Sequence, residues 1–269
     1  MSEHKRVDFA FFPFIFEGKA VQGVSCALSF RAAGNMGLDG ADANGWTPAR
    51  STFYKALGLN AGNVYSARQT HTKNIVVVDK GTPNFHTEVD GFVTARQDAA
   101  LAVTVADCLP VLLLDVRGIA AGHGAAGNGA FAAVHSGWKG TGIAAEALRL
   151  MGKHYGTKPE DAAAILGPCI CGDCYEVDGE RAAIFEKEFG QGSLDAYPLG
   201  QVTRKEYGRY FIDLRAANAA LLADAGVRNI AYCTDCTFTN PLLGSYRREG
   251  AEHYTKMLCL ITKTNNAPS

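Results

Sequence analysis

From Val64 to Asp115 the chain is a succession of short apolar runs: Val64–Arg68, Ile75–Asp79, Phe92–Ala95, Leu101–Val105 and Val111–Asp115. Each is too short for a stable helix and is bounded by polar or turn-forming residues, which makes each a strand candidate. Phe131–His135 has the same character, and so do Ala162–Leu166, Arg228–Cys233 and Met257–Ile261. At the start, Val7–Phe16 and Val21–Arg31 flank Glu17-Gly18-Lys19 and read as a hairpin. Gly118–Gly129, rich in Gly, Ala, His and Asn, reads as a flexible inserted loop.

Helices punctuate these runs. Thr47 is an N-cap residue ahead of Pro48, and the segment continues to Leu57 before Gly58 stops it. Gly140-Thr141-Gly142 opens a helix with Ile143, Ala147, Leu148 and Met151 on one face and Lys153 and His154 near the end that favours cations. Gly179–Phe189 and a segment from N-cap Asp213 to Gly226 follow the same logic. With no internal repeat and no dividing linker, residues 1–269 are expected to form a single α+β domain, with layered mixed sheets flanked by helices.

The chain has 269 residues, 47% of them hydrophobic, enough for one large core, while no apolar stretch approaches the roughly 20 residues that cross a bilayer. The opening Met-Ser-Glu-His-Lys-Arg-Val-Asp lacks the apolar core of a secretory signal, so a cytoplasmic location is expected. The 26 basic and 27 acidic residues are spread evenly, without the basic clusters that suit nucleic acid or anionic membranes. A small molecule is therefore the expected partner, to a monomer or weak dimer.

Three soft-metal ligands stand at the ends of strand candidates: His71, Cys108 and His135. Two imidazoles and one thiolate are a catalytic zinc set, with the fourth tetrahedral position left for water or substrate. The structural alternative is that Cys108, before Leu-Pro-Val-Leu-Leu-Leu, is a small buried hydrophobe and His135 bonds a carbonyl; spacing alone favours that alternative, because no short-range motif ties the three. Eight cysteines imply no bridges in a reducing compartment. Cys169, Cys171, Cys174, Cys233 and Cys236 raise a second zinc site as a question, and buried packing is the expected answer. His4, His86, His154 and His253 are assigned to the surface, with His123 as a loop contact.

Six ordered blocks carry a resemblance. Gln69-Thr70-His71, Asp90-Gly91-Phe92-Val93-Thr94, Ala106-Asp107-Cys108-Leu109-Pro110-Val111, Ala133 to Gly140, Leu166-Gly167-Pro168-Cys169-Ile170 with Cys174-Tyr175-Glu176-Val177, and Ser245-Tyr246-Arg247-Arg248 together resemble the laccase-domain, or YfiH-like, family. That family is also labelled polyphenol oxidase and peptidoglycan-editing factor. The resemblance spans about Arg31 to Ile261. It implies a fold likened to certain toxin cysteine hydrolases, a zinc carried by His71, Cys108 and His135, and phosphorolysis of adenosine, inosine, guanosine and methylthioadenosine together with deamination of adenosine. The chain departs from the family pattern Ala-Gly-Trp-Arg-Gly by carrying Ser136 and Lys139. Lysine keeps the charge but loses the planar fork that grips phosphate.

Phosphorolysis needs cations, and Arg247, Lys139 and Arg68 are the candidates; Gln69 joins Arg68 and Arg247 as a substrate contact. Adjacent residues on an extended chain point opposite ways, so Arg248 is expected to be solvated or paired. Deamination needs a proton-carrying carboxylate off the metal, for which Asp107 and Glu176 are candidates; orienting a ligand imidazole is the job expected first of Asp107. A copper oxidase reading is disfavoured, since seven histidines without a His-x-His pair do not suit a trinuclear cluster. A hydrolase with Cys108 as nucleophile and a histidine base, acting on peptidoglycan precursors, uses the same residues without metal.

Overall fold

Strands and helices alternate in four layers, helix, sheet, sheet, helix, in the computed structural model of the protein, which describes residues 9–42, 45–117, 129–189 and 199–263. One six-stranded sheet runs Phe9–Phe12, Ser25–Ser29, Met257–Thr262, Ala100–Val105, Val64–Arg68, Phe85–Thr87. Its last two pairings are parallel and the others antiparallel. The second runs Asn229–Tyr232, Ala162–Leu166, Leu109–Asp115, Phe131–Ser136, Gly91–Thr94, Ile75–Val77, parallel at both edges and antiparallel between. The class is mixed α+β, as the patterning predicts.

The strand period explains the layers. In Leu109–Asp115, Leu112 and Leu114 join Leu101, Val103, Val105, Cys259 and Ile261 of the other sheet in one core between the sheets. The alternate residues Leu109, Val111 and Leu113 face helices Ile143–Tyr155 and Leu214–Asp224 through Ile143, Ala147, Met151, Leu214 and Ala217. This strand is buried along its whole length, which is why it reads as a continuous apolar run. On the far side, helix Pro48–Ala56 sets Phe53 and Tyr54 against Ala100, Ala102, Leu258 and Leu260. Its N-cap is Thr47, whose hydroxyl accepts from the Arg50 N–H.

The opening hairpin forms, with Phe9–Phe12 antiparallel to Ser25–Ser29; within it Ile15–Phe16 and Lys19–Ala20 pair across Glu17 (φ 48°) and Gly18 (φ 74°). A three-stranded sheet of Glu176–Val177, Arg209–Ile212 and Thr203–Glu206 packs beside helix Gly179–Phe189. Arg247 and Arg248, read from sequence as extended, lie instead in a short helix, Tyr246–Glu249, capped by the Ser245 hydroxyl. The Gly118–Gly129 insertion falls outside the described residues except at Gly129, as do His4 and His123. Among the described residues no helix is long and apolar enough to cross a membrane.

Candidate metal centre

The two sheets share one end, and the candidate ligands meet there. Val64–Arg68 runs parallel to Ala100–Val105, so the segments that leave both strands, carrying His71 and Cys108, emerge side by side. Ala106-Asp107-Cys108 then crosses from one sheet to the other, and Asp107 makes the sharp turn with φ 90°. In the second sheet Pro110 is paired with His135, which brings the second imidazole beside Cys108.

The donor atoms of His71, Cys108 and His135 all lie within 4.8 Å of one another. Cys108 Sγ is 3.8 Å from His71 Nε2, and the two imidazole centroids are 4.9 Å apart at 74°. Nitrogen and sulfur ligands of one tetrahedral zinc stand about 3.6 Å apart, given bonds of about 2.1 and 2.3 Å. The donor set therefore fits a metal ion of that kind. His71 is exposed, Cys108 half-buried and His135 buried, so one side of the group opens outward. Gly137 makes the convergence possible: a Cβ there would stand 2.8 Å from His71 Cδ2 and 3.1 Å from Cys108 Sγ.

Asp90 organises the centre, and sequence reasoning assigned it no role. Its carboxylate accepts from His135 Nδ1 at 2.8 Å, which leaves Nε2 for a metal. It also accepts from the backbone N–H groups of Thr70 (3.3 Å), His71 (3.0 Å) and Thr72 (2.7 Å) and from the Thr72 hydroxyl (2.7 Å). Those bonds hold His71 at φ 62°, a left-handed conformation that costs a non-glycine residue about 1–3 kcal/mol. Burial pushes the Asp90 carboxyl up, but the bonds from His135 and Thr72 outweigh it and leave it at about 2. Burial likewise opposes charge on Cys108 and His135, yet their mutual attraction, with Asp90 behind His135, lowers the thiol and raises the imidazole. The only sequence signal for Asp90 was its place ahead of Gly-Phe-Val, inside one of the blocks that carry the family resemblance.

Asp107 does not orient an imidazole. Its carboxylate accepts from the Thr237 hydroxyl and from the Arg247 N–H, both at 2.6 Å, and so ties the crossing loop to the 237–247 segment. Beside the donor group lies a cavity of about 540 Å³ lined by Arg68, Gln69, Asp107, Lys139, Tyr175 and Arg247, among others. Arg247 lies over the Tyr175 ring at 5.5 Å and donates to the Glu176 carbonyl at 3.0 Å. The Glu176 carboxylate turns instead to Arg209, and Glu176 is not among the lining residues. Gln69 brackets Thr104 through its backbone, accepting from N–H at 2.7 Å and donating to C=O at 2.8 Å, so its side chain extends the sheet at the cavity edge. Arg181 and Trp138 also line the cavity, with the guanidinium 4.6 Å from the ring centroid, and sequence reasoning named neither as a site residue. Arg248 is paired, donating to the carbonyls of Phe238 and Asn240 and to Glu249.

The sequence profile of the family described as multi-copper polyphenol oxidoreductase laccase matches residues 21–263. The chain belongs to this family. A purine nucleoside phosphorylase of Mycobacterium tuberculosis is 34% identical over 202 residues, covering 74% of this chain and 73% of that protein. An adenosine deaminase, RL5, from an unknown prokaryotic organism is 30% identical over 265 residues, covering 89% and 92%. The crystal structure of YfiH from Bacillus licheniformis superposes with a TM-score of 0.75 at 26% identity, covering 89% of this chain and 92% of that one.

Proposed function

We propose that the chain is a zinc-dependent purine nucleoside phosphorylase acting on adenosine, inosine, guanosine and methylthioadenosine, with an accompanying adenosine deaminase activity. The observation that carries this reading is the opening of the His71, Cys108 and His135 group onto a cavity walled by cations and aromatic rings. Its volume, about 540 Å³, falls within the usual range for small-ligand sites. The names of the relatives supply the substrate class.

His71, Cys108 and His135 would hold the zinc, which would supply Lewis-acid chemistry and a bound water of lowered pKa. The remaining work falls to the chain. In phosphorolysis a phosphate oxygen bonds to ribose C1′ as the C1′–N bond breaks, and the electron pair leaves with the base, which takes up a proton. Arg247 is held in place by Tyr175 and the Glu176 carbonyl, and a guanidinium offers five N–H donors, so it grips the phosphate. Lys139 and Arg68, both exposed at the cavity wall, add positive charge. Tyr175, Tyr246 and Tyr254 offer ring faces to the purine. Burial first, then the Cys108 sulfur, push the Tyr175 phenol to about 12, so it keeps an O–H to donate at neutral pH. Asp107 is the lining carboxylate nearest the donor group in sequence and is assigned the proton-carrying role in deamination; Glu176 acts through its carbonyl, by positioning Arg247.

Incubation of the zinc-loaded protein with adenosine, with and without phosphate, tests this. The expected products are adenine and ribose-1-phosphate in equal amounts when phosphate is present, and inosine in its absence. The absence of both base release and deamination would overturn the reading. The lowered Cys108 thiol beside a raised His135 then favours the cysteine hydrolase alternative on peptidoglycan precursors, whose activity would rise when metal is stripped.

A further inference from the structure

We propose that Cys171, Cys174 and Cys236 form a second, separate site for a soft divalent metal such as zinc, which braces the wall of the cavity. Their sulfurs all lie within 4.8 Å of one another. They come from two Cys-x-x-Cys pairs, Cys171-Gly172-Asp173-Cys174 and Cys233-Thr234-Asp235-Cys236. Such pairs hold zinc because a tight turn sets the first and fourth side chains on one side. The first pair has that turn: the N–H groups of Cys174 and Tyr175 both donate to the Cys171 carbonyl at 3.0 Å.

The two pairs are locked in register. Cys169 and Cys236 form a parallel bridge, and the Thr237 N–H donates to the Cys169 carbonyl at 3.1 Å. The Cys171 N–H donates to Cys236 Sγ at 3.3 Å, the kind of backbone bond that stabilises a metal-bound thiolate. Sulfur ligands of one tetrahedral zinc stand about 3.8 Å apart, so small side-chain rotations close the set. Cys171 and Cys174 are half-buried, which leaves a path from solvent. Cys233 stands outside the group, with its thiol 3.6 Å from Asp235 Oδ2, and the fourth position falls to water.

The placement gives the site a structural task. The 170–175 segment carries Ile170 and Tyr175 into the cavity wall, and the segment after Cys236 carries Thr237, which holds Asp107, and then Arg247. A metal across Cys171, Cys174 and Cys236 pins these two walls together.

The test counts metal and reads no turnover, so it stands apart from the catalytic reading. Protein purified under reducing conditions, loaded with zinc and freed of excess, is expected to hold about two zinc ions per chain. A His71→Ala/His135→Ala variant is expected to retain about one, and a Cys171→Ser/Cys174→Ser variant about one. Should the cysteine variant fold poorly, alkylation of the unaltered protein replaces it: Cys171, Cys174 and Cys236 are expected to react slowly with zinc bound and at least tenfold faster after chelation. Zinc content in the cysteine variant equal to that of the unaltered protein, or equal labelling of the three thiols in both states, would overturn the proposal.

Discussion

His71 sits at φ 62° because Asp90 collects the N–H groups of three consecutive residues and, from the other side, the His135 ring. One carboxylate thus positions two of the three candidate ligands. Asp90→Asn keeps the shape but removes the charge and one acceptor, and the expected result is a loss of about 10–100-fold in zinc affinity, measured by competition with a chelating dye. Gly137→Ala places a methyl 2.8 Å from His71 Cδ2, against a rigid ring rather than a flexible side chain. It is expected to weaken zinc binding at least as much while leaving the circular dichroism spectrum unchanged. Arg247→Ala removes the cation held over Tyr175; the expected effect is a rise of about tenfold or more in the KM for phosphate, with Arg247→Lys recovering only part of it. Little of this was legible beforehand. The ligands could be named by type and strand-end position, but Asp90 and Gly137 act through register and steric clearance, which a linear pattern does not carry.

Among the elements, the continuous apolar runs and the capped helices read clearly. Val64–Arg68, Ala162–Leu166 and Gly179–Phe189 fall where patterning sets them, because burial on both faces or a clear cap dominates locally. The hairpin of Thr203–Glu206 and Arg209–Ile212 escaped because its first strand, Thr-Arg-Lys-Glu, has no apolar face. Its turn residues Tyr207 (φ 48°) and Gly208 (φ 79°) were the available cue. Tyr246–Glu249, four residues long, is too short for any helical period to show. The strand Leu109–Asp115 ends on a further buried acid. Burial raises the Asp115 carboxyl, but Arg117 and the Thr157 hydroxyl outweigh it and hold it below its ordinary value. Its folded pKa is thus below its unfolded one, so the stability it contributes is full above about pH 4 and is lost as pH falls through the folded value. Urea midpoints followed from about pH 6 to pH 3 are expected to fall less steeply for Asp115→Asn than for the unaltered protein.

At the scale of the molecule, the two sheets bury a shared core, and their common end carries the donor group, so the centre depends on both layers at once. Leu112→Ala, in the middle of that core, is expected to cost about 2–5 kcal/mol, with a single unfolding transition seen alike by far-ultraviolet and tryptophan signals. The layered α+β class was legible from the runs; which strand ends coincide was not, because that follows from pairings such as Pro110 with His135 and Val64 with Ala100. Those pairings convert three distant ligands into one centre. Phosphate-dependent release of adenine from adenosine, followed before chelation, after it, and after zinc is returned, addresses that centre directly. The expected course is activity, loss, and recovery with about one zinc ion at the His71, Cys108 and His135 group. Base release that continues undiminished in the chelated protein would contradict it.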